Sequence, residues 1–279
     1  MPDHWKDRLT QYRETIKDLV VDIADPYQIS NAERAALAIR IEKANMAIYR
    51  FRPDCAGARE AITALANQLG LGAPDHNLCA DADGLSPIQV HPDGVRQRYI
   101  PYTDKNLNWH TDGYYHSPDR IVRTILLHCA QPAAEGGTLE AIDHEIIYGL
   151  LQERDPRLAE ALSRPDAMTI PENGLTGQAY RADCSGPVFF RESGALRMRY
   201  TARKHNVIWK EDALMHEAVA ALGEILSSSG DLIVRHRLKS GEGLICANVP
   251  HRRDAFIDSP RSDEKRLMYR GRYTRSLEI

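Results

Sequence analysis

An imidazole and a carboxylate stand two residues apart in the stretch Asn106-Leu107-Asn108-Trp109-His110-Thr111-Asp112-Gly113-Tyr114-Tyr115-His116. On an extended strand, residues i and i+2 point to the same side, so His110 and Asp112 could reach one metal ion together. Two imidazoles and one carboxylate on one face of a metal, with the other positions open, form the donor set of non-haem Fe(II) centres that activate oxygen. A second histidine is then needed from far along the chain. The chain holds eleven histidines, so the triplet taken alone reads first as a hydrogen-bonded histidine in a polar loop.

Three distal elements change that balance. His251 ends the apolar run Gly243-Leu244-Ile245-Cys246-Ala247-Asn248-Val249-Pro250, which places its ring at a strand terminus. Its other reading is a surface histidine beside Arg252 and Arg253. If Leu267–Tyr273 is a strand, Arg266, Met268, Arg270 and Arg272 share one face. Such a face suits an anionic ligand, because a guanidinium grips a carboxylate through two parallel charge-assisted hydrogen bonds. A solvated edge strand is the alternative. Glu135-Gly136-Gly137-Thr138 reads as a tight turn into the next strand.

The chain has 279 residues, a net charge of −3, 43% hydrophobic and 27% charged residues, the balance of a globular protein. That charge gives no basic field for nucleic acid or an anionic membrane. No apolar run reaches transmembrane length, and the charged N-terminus lacks the pattern of a signal peptide. The five cysteines are odd in number and widely spaced, which favours reduced thiols in a cytoplasm over disulfides or a zinc site.

Positioning elements follow from hydrophobic period. Trp5, Leu9, Tyr12, Ile16 and Leu19 predict a helix over about 4–24. Ser30 with Glu33 forms a capping box that opens a second helix over 30–42. Residues 1–42 are expected as a helical segment packed on a domain spanning 43–279. This segment either covers one face of that domain or makes a dimer contact, so a homo-oligomer stays open. A strand at 46–51 and a helix at 56–69 follow. Strand-like runs come next at 87–91, 98–102, 106–116, 120–129 and 139–142, with helices at 143–153 and 156–163. Strands at 167–171, 187–191 and 196–201, a helix at 211–228, and strands at 231–238, 243–248 and 267–273 complete the chain. Many short strands with helices outside predict a mainly β fold with flanking helices, a sandwich or jelly-roll barrel that can hold a small ligand in its mouth.

The order Trp109-His110-Thr111-Asp112, Gly136-Gly137-Thr138, His251-Arg252-Arg253-Asp254-Ala255-Phe256 and Arg266-x-x-x-Arg270 resembles the Fe(II)- and 2-oxoglutarate-dependent taurine dioxygenase family. That family includes the 2,4-dichlorophenoxyacetate dioxygenases and, more distantly, γ-butyrobetaine hydroxylase. The resemblance runs from about Met46 to Tyr273. It implies a double-stranded β-helix, with His110, Asp112 and His251 as iron ligands. It also implies that Thr138 and Arg266 hold the far carboxylate of 2-oxoglutarate. Arg270 matches a position that contacts an anionic substrate group in the taurine enzymes, and Asn106 matches a substrate-pocket asparagine. Tyr114 and Tyr115 stand beside the metal, as pocket wall or as part of a cation-binding cage.

The implied reaction couples O2 and 2-oxoglutarate to hydroxylation of a C–H bond in a small anionic or zwitterionic metabolite, releasing succinate and CO2. A carboxylate at 112 favours hydroxylation over the halogenation carried out by relatives with a small residue there. Arg252 and Pro250 depart from the family pattern around the distal histidine, where a glycine often follows and an apolar residue other than proline usually precedes. Two rivals stand: a zinc hydrolase using the same three residues, and a non-catalytic sensor that binds 2-oxoglutarate.

Overall fold

The computed structural model describes residues 3–77, 79–91, 94, 96–172, 181–203, 205 and 207–278. In order, the chain forms helix α1 (Asp3–Thr15), strand β1 (Val20–Ile23), helix α2 (Asn31–Ala44), strand β2 (Met46–Phe51), helix α3 (Arg59–Gln68), strand β3 (Ser86–Ile88) and strand β4 (Leu107–His110). Strands β5 (Thr124–Gln131), β6 (Glu135–Gly136) and β7 (Leu139–Ala141) precede helices α4 (His144–Arg154) and α5 (Pro156–Leu162). Strands β8 (Met168–Ile170), β9 (Cys184–Gly186), β10 (Phe189–Glu192), β11 (Ala195–Met198) and β12 (Ile208–Trp209) lead to helix α6 (Ala213–Ser228). Strands β13 (Val234–His236), β14 (Glu242–Cys246), β15 (His251–Arg253), β16 (Phe256–Ile257) and β17 (Leu267–Tyr273) close the chain.

Two sheets carry the architecture. A six-stranded sheet has the order β1-β2-β14-β5-β17-β3, and a four-stranded sheet has the order β13-β7-β15-β4. Only β1 and β2 run parallel within the first sheet. The period-2 alternation of its strands separates two cores. Met46, Ile48, Ile125, Leu244, Cys246 and Met268 join Trp109, Leu139 and Ala141 of the four-stranded sheet in one cluster. Ala47, Tyr49, Phe51, Leu126, Ile245 and Tyr273 turn the other way and pack with Leu37 of α2 and Ile62 and Leu65 of α3. The six-stranded sheet therefore lies between a helical layer and the four-stranded sheet. The fold is mainly β with flanking helices.

The N-terminal segment is less helical than its periodicity predicts. Helix α1 stops at Thr15, and Val20–Ile23 instead forms an edge strand paired with β2. Val20, Val21 and Ile23 are β-branched and fit a pleated, half-buried surface better than a helix. The segment docks firmly. Tyr12 is fully buried and donates from its hydroxyl to Leu232 O at 2.8 Å. The guanidinium of Arg8 bonds both Asp143 and Glu145. Trp5 lies where a side chain on Gly149 of α4 would stand. The predicted capping box at α2 is present, with Ser30 and Glu33 each bonding the other's backbone.

Other predictions change too: the strand expected over 106–116 stops at His110, and the one expected over 120–129 begins only at Thr124. Residues 98–102 are not a strand but 3-10 turns, Arg96–Arg98 and Ile100–Tyr102, the second with Pro101 in its first turn. Proline has no N–H to give a ladder and its fixed φ suits the first turn of a helix.

His128, on the helix-facing side of β5, is fully buried. Its Nε2–H donates to Ala56 O at 2.6 Å, which leaves Nδ1 to accept from the Tyr49 hydroxyl at 3.0 Å. Burial pushes the ring down to about 4, against the Ala56 bond that favours the charged form. The folded value lies below the ordinary 6.5, so the unfolded chain takes up this proton first. His128 therefore contributes its full stability above about pH 6.5, and that contribution is lost as pH falls toward 4. The span corresponds to roughly 3 kcal/mol. Urea midpoints taken from pH 7 to 4 should fall steeply for the wild type and more shallowly for His128→Gln. Parallel curves would remove His128 from this role.

Candidate active site

Pairing of β4 with β15 sets His110 directly opposite His251. The two rings approach with centroids 4.4 Å apart. His110 Nδ1 lies 2.9 Å from Asn108 O, and His251 Nδ1 lies 3.0 Å from Val249 O. A carbonyl only accepts, so each Nδ1 carries the proton and each Nε2 keeps its lone pair. Both histidines thus have the tautomer a metal needs, each fixed by the backbone two residues back.

Asp112 completes the group. One ligand atom from each of His110, Asp112 and His251 lies within 4.8 Å of the other two, and all three residues are buried. Asp112 does not reach this place by strand alternation, because β4 ends at His110. It sits in the following turn, held by Asn248. The Asp112 N–H donates to Asn248 Oδ1 at 2.8 Å, and Asn248 Nδ2 donates to Asp112 O at 2.9 Å and Val122 O at 2.7 Å. Asn248 has φ of 49°, a left-handed conformation that asparagine tolerates better than most residues. The sequence reading passed over Asn248; an asparagine two residues before a proline was the available signal.

Charge on Asp112 is met from β17. Its inward face carries Met268, Arg270 and Arg272, as the strand period predicts; Arg266 immediately precedes the strand, before a register irregularity at Leu267/Met268, and the three arginines are buried. Arg272 Nε donates to Asp112 Oδ2 at 3.0 Å, and Arg270 Nε comes to 3.4 Å of the same oxygen. Burial works against the Asp112 carboxylate, but Arg270 and Arg272 outweigh it and hold the group well below the usual carboxylate range. Burial, with His110 beside it, pushes His251 down to about 4, so the ring is neutral near pH 7.

Arg266 lies apart from this cluster, at the edge of a cavity lined by Cys129, Gly137, Leu139, Arg237, Arg253 and Met268, among others. Its guanidinium covers the Phe256 ring at 4.9 Å, and burial lowers it to about 10. Its Nη1 is buried and has no hydrogen-bond partner among the described residues. Such an atom is costly unless a ligand meets it, and a carboxylate is the natural one. The Gly-Gly-Thr turn closes on this cavity through pairing of Gly136 with Phe256. Gly136 and Gly137 have φ of 72° and 73°, and a Cβ on Gly136 would lie 2.4 Å from Ala255 O. Thr138 follows, half-buried, its carbonyl accepting from Asp254 N–H at 3.0 Å.

The remaining residues divide. Tyr115 accepts from Arg272 Nη1 at 2.9 Å, and its ring meets Tyr114 edge-on at 5.3 Å. Arg203 lies over the Tyr114 ring at 6.0 Å. Asn106 is exposed at the start of β4, and its Oδ1 accepts from Ala255 N–H at 2.5 Å, so its amide already serves a backbone contact. Arg252, the departure beside His251, pairs with buried Glu140 at 2.9 Å and covers Trp109 at 5.3 Å. It points away from the histidine pair because β15 alternates.

Residues 9–272 match the family described as taurine catabolism dioxygenase TauD, TfdA. The chain belongs to this dioxygenase family. Among its relatives is a uridine-5'-phosphate dioxygenase from Streptomyces sp, 29% identical over 226 residues that make up 78% of this chain and 80% of that one. A second enzyme of that name, from Amycolatopsis sp, is 29% identical over 175 residues, 59% of this chain and 60% of that one. The fold is shared with an asparagine oxygenase in complex with Fe(II), 2S,3S-3-hydroxyasparagine and succinate, at TM-score 0.64, 16% identity, 99% coverage of this chain and 92% of that one. The non-heme iron oxygenase OrfP in complex with Fe, succinate and (3S)-hydroxy-L-Arg gives TM-score 0.64 at 15% identity, over 98% and 93% of the two chains. This chain of the TauD/TfdA family is thus an enzyme of iron- and 2-oxoglutarate-dependent oxygenation, and its buried His-Asp-His group is a donor set suited to Fe(II). Among its described residues, no helix is long and apolar enough to cross a membrane.

Replacing Asn248 by alanine would strip buried partners from the Asp112 backbone and from Val122 O. The expected loss is about 1–3 kcal/mol, read as a lower urea midpoint. A midpoint equal to wild type would show that the turn holds without it.

Proposed function

We propose that the chain is an Fe(II)- and 2-oxoglutarate-dependent hydroxylase of a small phosphorylated metabolite, a nucleoside 5'-phosphate above all. The observation that carries this reading is the convergence of two correctly protonated imidazoles and one carboxylate within 4.8 Å. The substrate class rests on the relatives named for uridine 5'-phosphate and on the cationic face of β17. In this reading the two main sheets are the halves of a double-stranded β-helix. Residues 1–42 form a segment packed on the 43–279 domain, and the five free cysteines fit a reducing cytoplasm.

His110, Asp112 and His251 would hold the iron. Bound iron and 2-oxoglutarate supply an oxidant from O2 that hydroxylates a substrate C–H, with succinate and CO2 as by-products. The protein binds, orients and excludes water. Arg266 and Thr138 take the far carboxylate of 2-oxoglutarate, which satisfies the bare Nη1 of Arg266. Arg270 faces the anionic group of the substrate. Tyr114 and Tyr115 form an aromatic wall, and Asn106 stands at the rim, tied to Ala255. A zinc hydrolase would leave the unpartnered Arg266 without a purpose. A sensor that binds 2-oxoglutarate without turnover differs in outcome rather than in site.

Anaerobic addition of Fe(II) and then 2-oxoglutarate should give a weak visible absorption band, lost in His251→Ala and in Asp112→Ala while the circular dichroism is kept. With O2 and uridine 5'-phosphate, succinate should form. Zinc-supported hydrolysis without the band would move the hydrolase reading forward, and a band without succinate across a broad phosphate panel would leave the sensor. Arg266→Ala should raise the 2-oxoglutarate concentration for half-saturation about tenfold or more, as loss of a charge-assisted bond implies. An unchanged requirement would take Arg266 out of that role.

A further inference from the structure

Two buried arginines face Asp112, and their contacts differ. Arg272 is committed at both ends, with Nε on Asp112 Oδ2 at 3.0 Å and Nη1 on the Tyr115 hydroxyl at 2.9 Å. Arg270 approaches more loosely, its Nε 3.4 Å from Oδ2 and its Nη1 3.5 Å from Oδ1, and among the described residues that Nε has no hydrogen-bond partner. The other oxygen of Asp112, Oδ1, lies 3.5 Å from His110 Nε2, on the side of the histidine pair. Tyr115 is itself fixed between Tyr114 and His116, whose rings meet it edge-on at 5.3 Å and 4.7 Å.

We infer that Arg272, braced by Tyr115, is a positioning residue that fixes which oxygen of Asp112 faces the metal, leaving the more loosely paired Arg270 as the arginine that can turn to substrate. The inference rests on the reading above that His110, Asp112 and His251 hold iron. The carboxylate torsion of aspartate is broad and soft, so a carboxylate in a turn needs an outside anchor to keep one oxygen toward its neighbours. A planar guanidinium gives that anchor direction, where an ammonium gives only a point charge. Outer partners of this kind commonly change metal affinity by 10–100-fold when removed.

Charge and positioning give opposite signs, which makes the inference testable. A cation beside a metal ligand repels the incoming metal, so charge alone would make Arg272→Gln bind metal more tightly. Positioning makes it bind more weakly. Titration of the apo-protein with Co(II), followed by its visible absorption, reads this without turnover. Arg272→Gln should weaken Co(II) about tenfold or more, Arg272→Lys should fail to restore it, and Tyr115→Phe should shift it the same way by less. Tyr115→Phe removes one oxygen only and carries the test if the Arg272 variants do not fold by circular dichroism. Unchanged or tighter Co(II) in both Arg272→Gln and Tyr115→Phe overturns the inference. His110→Ala is the control. If that variant binds Co(II) as the wild type does, the metal site itself is misassigned, and the inference falls with it.

Discussion

A single negative charge, buried at the junction of two sheets, governs this structure. Asp112 is 3% exposed, and an uncompensated carboxylate at that depth would neutralise or unfold its surroundings. Two guanidinium groups from β17 keep it ionised. Removing one member of such a group strands the others, which ties the placement of β17 in one sheet to that of β4 and β15 in the other. The two sheets therefore need a particular register as well as a shared apolar core.

That register comes from ordinary packing. Alternating residues of β2, β5 and β14 feed two cores, one against the helices and one against the four-stranded sheet. A one-residue slip of β17 would turn Arg266, Arg270 and Arg272 into the helical layer and bring Tyr273 inward. Gly271 fits this arrangement, because a Cβ at that position would lie 2.7 Å from the Tyr273 hydroxyl. The apolar and the charged halves of the strand thus enforce the same arrangement, and such agreement between levels is what gives a fold one answer.

The second cationic site behaves differently. Asp112 meets Arg272 at hydrogen-bond distance and Arg270 more loosely, whereas Arg266 Nη1, which lines a cavity, has no hydrogen-bond partner among the described residues. Arg266 thus keeps a buried guanidinium nitrogen unmet beside a glycine turn that brings backbone close. Under the proposed reading, the far carboxylate of 2-oxoglutarate would offset the cost of that unmet nitrogen.

The sequence by itself determined the chemistry-bearing residue types, the inward face of β17 and the capping of α2, because each depends on spacing within one short segment. His110, Asp112 and His251 were legible as candidates from motif order. Only the tertiary structure decided how they meet. Asp112 reaches the histidines through the Asn248 clasp from a segment 136 residues away, not through alternation along β4. Val20–Ile23 became a strand because β2 offered it a partner, although local periodicity extended the helix. The arginine that holds Asp112 and the one left loose sit two residues apart on the same face, so no pattern along the chain separates them. Their different contacts arise from where the turn after β4 places Tyr115 and Asp112, and that is set by packing between elements distant in sequence.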